Sequence, residues 1–188
     1  MAYDLKSVFY LDTSATIAAT TAGGGSAQLD LSAYIDPIAR GRTKGTGLAV
    51  YKAHFVTSQG GNAEPIDDEE AGTFRAALLA GAGLGDVATG AGVDANGFRA
   101  TNNLLVASYD FYGPKSMIGN ASTTTDMYND MIKPSIQVPY VIVRDNVCLV
   151  YDVGDNMTAE TNLSVRLEVA QVSLDQATLN QLLRTQTV

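Results

Sequence analysis

Short segments in which apolar and polar residues alternate recur along most of this chain. Because successive side chains of a β-strand point to opposite faces, a period of two predicts strands with one buried face. In NLSVRLEVA, for example, the alternate apolar residues from Leu163 to Val169 would share one face. We predict eight such strands, at residues 5–11, 16–20, 27–35, 48–57, 104–112, 135–143, 147–153 and 163–172.

Two of these segments carry further local signals. After Val169 the apolar positions change from odd to even numbers, and this change of phase predicts a β-bulge. The sequence VPYVIVRDNVCLVYDV predicts a hairpin that turns at Asp145 and Asn146, with both arms covered on two sides. Pro139 places its strand at the edge of a sheet or at a bulge, because proline cannot donate a hydrogen bond to a neighbouring strand.

Helical signals are few and short. Residues 65–81 begin with a proline and several acidic residues, which suit a helix N-terminus, and end at a glycine. Residues 126–133 predict about two turns that stop before a proline. A C-terminal helix is predicted at about residues 174–185, with a capping box formed by Ser173 and Gln176. The apolar stripe of this helix consists of Leu179, Leu182 and Leu183.

These elements predict the fold class and the domain organisation. About eight strands, few helices and long loops, such as the glycine-rich residues 81–97, are typical of β-sandwiches and barrels. A jelly roll packs about that number of strands into two sheets. We therefore predict an all-β jelly-roll β-sandwich with short helices and long loops, formed as a single domain by residues 1–188. Other sandwich and barrel topologies stay open.

The charge composition limits the classes of partner. The chain has 20 acidic and 12 basic residues and a net charge of −8, so a general attraction to nucleic acid or anionic lipid is not expected. Charged residues make up 17% of the chain, below the roughly 25% of typical soluble domains. Such a surface suits a subunit whose sides face other copies of itself. The first residues include Asp4 and Lys6 and no long apolar run, so we expect no secretion signal.

The candidate catalytic residues form no recognisable motif. His54 is the only histidine and Cys148 the only cysteine, which excludes a multi-histidine metal site and an intrachain disulfide. Alternation places His54 on one strand face with Leu48, Val50 and Val56, where a half-buried structural or interface histidine is expected. Cys148 lies between apolar neighbours and is expected to be buried. We predict no enzyme and no cofactor.

One acidic turn resembles part of a calcium site. Carboxylate and amide oxygens suit Ca²⁺, but the spacing here does not match an EF-hand loop. Turn chemistry, in which Asp and Asn side chains bond to their own backbone, explains the same residues. The candidate ligands in YDVGDNMTAE are Asp152, Asp155, Asn156 and Glu160.

Two charge clusters and the C-terminal leucine stripe are the candidate interface residues. The basic cluster in ARGRTKG consists of Arg40, Arg42 and Lys44. The acidic cluster in EPIDDEE consists of Glu64, Asp67, Asp68, Glu69 and Glu70. Both clusters can be solvated patches, or they can meet between neighbouring subunits, where opposite charges set the orientation. The leucine stripe is predicted to dock on a neighbouring surface, because an isolated helix of this length is marginal in water.

Five segments together carry a resemblance to a known family: AQLDLSAYIDP, GLAVYKAHFVTS, NNLLVASYDFYG, VPYVIVRDNVCLVYDV and NLSVRLEVAQVSL. Their pattern is similar to that of small single jelly-roll major capsid proteins, of the upright type found in tailless icosahedral viruses that enclose a membrane. The resemblance implies a structural subunit that builds capsomers with other copies of itself and with other capsid proteins. It also implies a protein made in the host cytoplasm and located in the virion, near a viral membrane, with no active site and no direct contact to nucleic acid.

Three other classes of function stay open. One is another self-assembling shell or appendage protein. The second is a non-catalytic binding module of the carbohydrate-binding kind, for which Tyr109, Phe111 and Tyr112 would supply the exposed aromatic rings in a chain without tryptophan. The third is an enzyme of unrecognised type, which would be built around Asp110, His54 or the acidic turn.

Overall fold

The computed structural model describes residues 7–36, 44–81, 98–113 and 132–186. Over these residues the chain forms eight strands and one helix. The predicted segments 5–11 and 16–20 both fall on the first strand and its flanks, while residues 126–131 and 82–97 of two other predictions lie outside the described residues. The elements are β1 Phe9–Ile17, β2 Gly23–Asp30, β3 Lys44–Gln59, β4 Thr73–Ala80, β5 Leu105–Tyr112, β6 Tyr140–Ile142, β7 Asn146–Asp155, β8 Thr161–Asp175 and α1 Gln176–Thr185.

The strands form two four-stranded antiparallel sheets. In the first sheet the order is β1-β8-β3-β6, and in the second it is β2-β7-β4-β5. The first strand therefore pairs with the last, the second with the seventh, the third with the sixth and the fourth with the fifth. This nested pairing is what results when one long hairpin is rolled into two sheets, and it is the jelly-roll topology. The prediction of an all-β jelly-roll sandwich is confirmed.

The main core lies between the two sheets. Alternate residues of β8, from Leu163 to Val169, point inward and are almost completely buried, as their spacing predicts. The facing residues of the second sheet include Phe74, Leu78 and Leu149. Each such side chain contributes about 1.5–3 kcal/mol when fully buried, so this layer holds the two sheets together.

The change of phase in β8 has a different cause from the one predicted. β8 pairs with β1 without a register shift. The bulge lies in the neighbouring strand β3, where Tyr51 is an additional residue between Val50, which pairs with Val169, and Lys52, which pairs with Glu168. The even-numbered residues after Val169 are buried on the outer side of the sheet, under α1. The prediction of a bulge in β8 is therefore wrong. The apolar residues change from odd to even numbers because the first half of β8 is buried on its inner face and the second half is also buried on its outer face.

The predicted hairpin at Asp145 and Asn146 is also wrong. β6 pairs with β3 in the first sheet, whereas β7 pairs with β2 and β4 in the second. The chain between them crosses from one sheet to the other. A run of apolar residues suits a covered strand in either sheet, so the local pattern could not choose the partner. The edge position predicted from Pro139 is confirmed, since β6 is the last strand of its sheet.

The helix predicted at residues 65–81 is replaced by a strand. Thr73–Ala80 forms β4, which lies between β7 and β5 in the second sheet. Its alanines and leucines are good helix formers, but every residue from Ala76 to Ala80 is buried in the sandwich. Burial on both faces of a central strand decides the conformation here, because strand preference depends mainly on packing.

The C-terminal helix forms close to its predicted bounds but with a different cap. Asp175 is the N-cap, and its carboxylate accepts a hydrogen bond from the Thr178 backbone N–H at 2.7 Å. Ser173, the predicted cap, is still part of β8. The helix ends at Gln186, whose side chain accepts from the Val143 N–H at 3.1 Å and donates to the Val141 carbonyl oxygen at 2.6 Å. Both ends of α1 are thus tied to the first sheet.

Candidate interaction surfaces

The C-terminal leucine stripe packs on its own chain. Leu179 is fully buried, and Leu182 and Leu183 pack partly buried beside it. Leu179 and the apolar residues that α1 buries on the outer face of the first sheet form one group, which we call the outer cluster. Its members are Ala49, Tyr51, Val143, Ala170, Val172, Leu174 and Leu179. The expectation that this stripe docks on a neighbouring surface is therefore wrong, because the helix occupies the face of the sheet to which it is covalently attached.

The uncovered half of the same outer face carries a lattice of polar and charged side chains. Cross-strand register places them in adjacent rows, so opposite charges are neighbours. The Arg166 guanidinium lies 5.9 Å from the centre of the Tyr10 ring, which is cation–π distance. The members of this lattice are Tyr10 and Asp12 on β1, Arg166 and Glu168 on β8, and Lys52 and His54 on β3.

His54 lies in this lattice and not among core residues. The extra residue Tyr51 reverses the alternation of β3, so Leu48 and Val50 point into the core while His54 points outward. The predicted grouping of His54 with Leu48 and Val50 is therefore wrong. The His54 Nε2 atom lies 2.9 Å from Glu168 Oε1, and 47% of the histidine side chain is exposed.

Replacing His54 by glutamine should change the free energy of unfolding by no more than about 1 kcal/mol. The pair with Glu168 is partly exposed, and exposed ion pairs contribute about 0–1 kcal/mol. Urea denaturation of the parent and of His54→Gln near pH 7 measures this directly. A loss of several kcal/mol, or loss of a stoichiometric bound metal in the variant, would show that the histidine has a larger role.

The acidic cluster contains one residue with a structural role inside the chain. Glu70 is completely buried. Its Oε1 accepts hydrogen bonds from the backbone N–H groups of Gly72 at 2.7 Å and Thr158 at 2.8 Å, and its Oε2 accepts one from Ala159 at 3.2 Å. Burial by itself raises the pKa of Glu70, but these hydrogen bonds outweigh it, and the pKa is lowered. Glu70 therefore joins two loops, and its assignment to an intersubunit interface is wrong.

The other acidic residues lie on the surface. The Glu69 backbone N–H donates to Asp67 Oδ1 at 3.0 Å and lowers the pKa of Asp67, while the hydrogen bond that the Asp68 carboxyl group donates to Asp67 raises the pKa of Asp68. Glu64 is exposed and pairs with Gln59 through the backbone. Of the basic cluster, Lys44 begins β3, and Arg40 and Arg42 lie outside the described residues. Contact between the two clusters of different copies stays a prediction.

A charged row lies on the outer face of the second sheet, where the sequence suggested Asp110 and Asp152 for separate sites but not their contact with Arg75. Arg75 donates to both carboxylate oxygens of Asp110, at 2.6 and 2.8 Å, and its other register partner is Asp152. The hydrogen bonds to Asp110 raise the pKa of Arg75. Sequence reasoning missed this row because its three residues come from three different strands. They line a shallow cavity of about 310 Å³, together with Phe98 and Tyr112.

The candidate calcium ligands are not brought together. Asp152 faces outward beside Arg75, and the Asp155 backbone N–H donates to the Thr73 hydroxyl at 3.0 Å. The Asn156 side chain donates to the Thr20 carbonyl oxygen at 3.4 Å. Among the described residues, no three His, Cys, Asp or Glu side chains lie close enough to hold a metal ion.

The remaining candidates divide into core and surface. Cys148 is buried, and burial raises the pKa of its thiol. Tyr109 and Phe111 stack on other aromatic rings towards the core, which leaves Tyr112 as the exposed member of the predicted aromatic group. In the described part of the chain, no helix has the length and apolar character needed to cross a bilayer.

Exposed apolar side chains lie on two opposite sides of the sandwich. On the side of β1, Val8 and Tyr10 are 50% and 61% exposed. On the opposite side, the segment that leads from the edge of β5 to β6 exposes Ile136 and Val138, the latter by 74%. Burying apolar side chains against another protein surface removes them from water, so these two groups are candidate contacts between copies.

No protein-family model matches this chain, and no curated protein matches it in sequence. Its function is therefore inferred from its fold and from the surfaces above.

Proposed function

We propose that this protein is a structural subunit of a viral capsid, a major capsid protein that builds capsomers by self-association. The nested strand pairing of a single jelly roll is the observation that carries the proposal. It agrees with the architecture that the resemblance of the strand segments implies. The subunit would associate with other copies of itself and with other capsid proteins in the virion, without binding nucleic acid directly.

The distribution of surface groups supports this proposal. A closed shell requires each subunit to contact more than one neighbour, and the sandwich exposes apolar side chains on two opposite sides, near Val8 and near Val138. Charged residues are few for a soluble domain. Contacts between the basic and acidic clusters would fix the orientation of neighbouring subunits. These contacts would weaken at high salt, because the Debye length falls from about 10 Å at 0.1 M to about 3 Å at 1 M.

Electron microscopy and light scattering of the purified protein test the proposal. We expect the parent protein to form rings, sheets or shells and Val138→Asp to disrupt them. Val138 is 74% exposed on the side of the sandwich opposite β1, and the substitution puts a charge at this position. Val56→Asp is the matched control, since Val56 is 57% exposed but lies on the outer face of the first sheet. Equal effects of the two substitutions, or a protein that stays monomeric at every concentration and salt, would contradict the proposal.

A non-catalytic binding module is the second candidate function. The cavity at Arg75, Asp110 and Tyr112 combines fixed hydrogen-bonding groups with an exposed aromatic ring, which is how small polar ligands are commonly held. Calorimetric binding of a saccharide by a protein that does not self-associate would favour this function over a capsid.

A further inference from the structure

The two sides of the sandwich differ in how their strand edges are protected. β5 and β6 form the edges on one side, and both are blocked. β6 has only three residues, and the Gln186 side chain bonds to the Val141 carbonyl oxygen and the Val143 N–H at its edge. On β5, the Ser108 N–H donates to the Ile132 carbonyl oxygen at 3.1 Å. Short strands and covering segments are the usual means of preventing unwanted strand pairing.

On the opposite side, formed by β1 and β2, the described residues supply no such protections. β1 has nine residues and β2 has eight, and neither shows a register shift against its partner. Neither strand contains proline, lysine or arginine, and Asp12 is the only charged residue of β1. A long, regular edge with a single charged residue offers a row of backbone donors and acceptors to another strand.

The hydrogen-bond pattern identifies which groups of β1 face the open edge. The Gly60 N–H donates to the Glu160 carbonyl oxygen and so continues the ladder between β3 and β8. Since bonded residues alternate in an antiparallel pair, even-numbered residues of β8 bond to β3 and odd-numbered ones to β1. Thr16 agrees with this assignment, because its carbonyl oxygen points away from β8 and accepts from the Tyr151 hydroxyl of the other sheet. The groups that face the edge therefore belong to the even-numbered residues of β1, which are Tyr10, Asp12, Ser14 and Thr16, and of these the Thr16 carbonyl oxygen is already occupied.

We propose that β1 pairs antiparallel with β1 of a second copy of this chain, around a twofold axis at Thr13. This register places Tyr10 opposite Thr16 of the second copy and Asp12 opposite Ser14. Asp12 and Ser14 can then exchange both backbone hydrogen bonds and the Thr16 N–H can donate to the Tyr10 carbonyl oxygen, while the Thr16 carbonyl oxygen keeps its bond from Tyr151. The two first sheets then become one continuous eight-stranded sheet. The proposal deepens the proposed function, on which it rests, by naming the surface and the partner for one of its contacts.

Charge and side-chain size favour a second copy as the partner. A twofold axis at Thr13 keeps the two Asp12 carboxylates away from direct opposition, which like charges across strands would disfavour. Two of the four outward residues of β1, Ser14 and Thr16, have small hydroxyl side chains, and β2 beneath it begins with three glycines. The larger outward residues, Tyr10 and Asp12, stand roughly perpendicular to the sheet, so they leave the backbone edge of β1 accessible to a second copy.

A cysteine placed on the twofold axis tests the register. Opposed residues that do not share hydrogen bonds have Cα atoms about 4.5 Å apart, within the range of a disulfide. Under mild oxidation Thr13→Cys should therefore give a covalent dimer on non-reducing gels. Ala15→Cys is the matched control on the same strand and the same face, with Cα atoms roughly 14 Å apart in this register. A Thr13→Cys variant that stays monomeric under oxidation would overturn the proposal.

Charge substitutions at Ser14 supply a second test that does not need a cross-link. Ser14→Asp would place a like charge opposite Asp12 of the second copy at two symmetric positions, and should raise the dimer Kd roughly 2- to 30-fold. Ser14→Lys should lower it. Ser164, the register partner of Ser14 on the same face but one strand away from the edge, is the control site for both substitutions. Equal Kd values for all four variants and the parent in analytical ultracentrifugation would overturn the pairing.

The outcomes separate this pairing from the proposed function. If the protein forms particles but Thr13→Cys gives no cross-linked dimer under oxidation, the β1 pairing is overturned and the capsid proposal stands. Cross-linked dimers that never form larger particles would support the pairing and contradict the capsid proposal. Slow amide exchange at Tyr10, Asp12, Ser14 and Thr16 that depends on protein concentration is expected only if the pairing forms in solution.

Discussion

Replacing Leu179 by alanine should lower the free energy of unfolding by about 2–5 kcal/mol, the range for a fully buried leucine. Leu179 is completely buried between α1 and the outer face of the first sheet. Its removal opens a cavity in the outer cluster and weakens the packing of α1 on the first sheet. Urea denaturation followed by circular dichroism measures the change, and the midpoint should fall without a large change in the slope.

Gln181 supplies the control for this prediction. It lies in the same helix but is exposed, so Gln181→Ala should change stability by less than about 0.5 kcal/mol. Deleting residues 176–188 should have a still larger effect than Leu179→Ala, because it exposes the rest of the outer cluster to water. A truncated chain that is as stable as the parent and remains soluble would contradict the role assigned to α1.

Replacing Glu70 by alanine should lower the free energy of unfolding by at least about 2 kcal/mol. The substitution removes the acceptor for the backbone N–H groups of Gly72, Thr158 and Ala159, and a buried donor without a partner costs about 1–3 kcal/mol. Glu69→Ala is the matched control, because Glu69 is the neighbouring residue of the same type and is exposed. Equal stability of the two variants in urea denaturation would show that Glu70 does not join the loops.

The contribution of Glu70 should also depend on pH. The pKa of the folded carboxyl group lies below its ordinary value of 4.5, so the folded state favours the charged form. The stabilisation is therefore fully present above about pH 4.5 and is lost as the pH falls through the folded pKa. The difference in stability between the parent and Glu70→Gln should be constant near neutral pH and shrink in acid. A difference that grows as the pH falls would have the wrong sign for this interaction.

Several elements could be predicted from local residue patterns. The strands around Leu48, Val106, Leu149 and Val165 all fall where alternation or apolar runs place them, because a period of two reflects burial on one face. The helix at Leu179 was visible in its spacing of apolar residues. These signals depend on residues close in sequence, so no knowledge of partners was needed.

Other elements could not be predicted because their partners are distant in sequence. β4 has a helix-forming sequence, and only its position between β5 and β7 makes it a strand. The row of Arg75, Asp110 and Asp152 comes from three strands and has no local signature. Glu70 looked like one of several surface acids until the loop at Thr158 closed over it.

The sequence by itself determined that this protein is a sandwich of about eight strands with a C-terminal helix, since alternation and helical spacing are properties of neighbouring residues. The tertiary structure alone decided which strands pair, that Tyr51 reverses the face of His54, and that α1 covers its own sheet and not a neighbour. Over the described part of the chain, it also left β1 as an edge strand without a covering segment, while Gln186 and Ile132 closed the opposite side. The physical reason is that strand pairing and side-chain burial depend on contacts between residues far apart in the chain. One apolar pattern is compatible with several strand pairings, and only the complete sandwich selects among them.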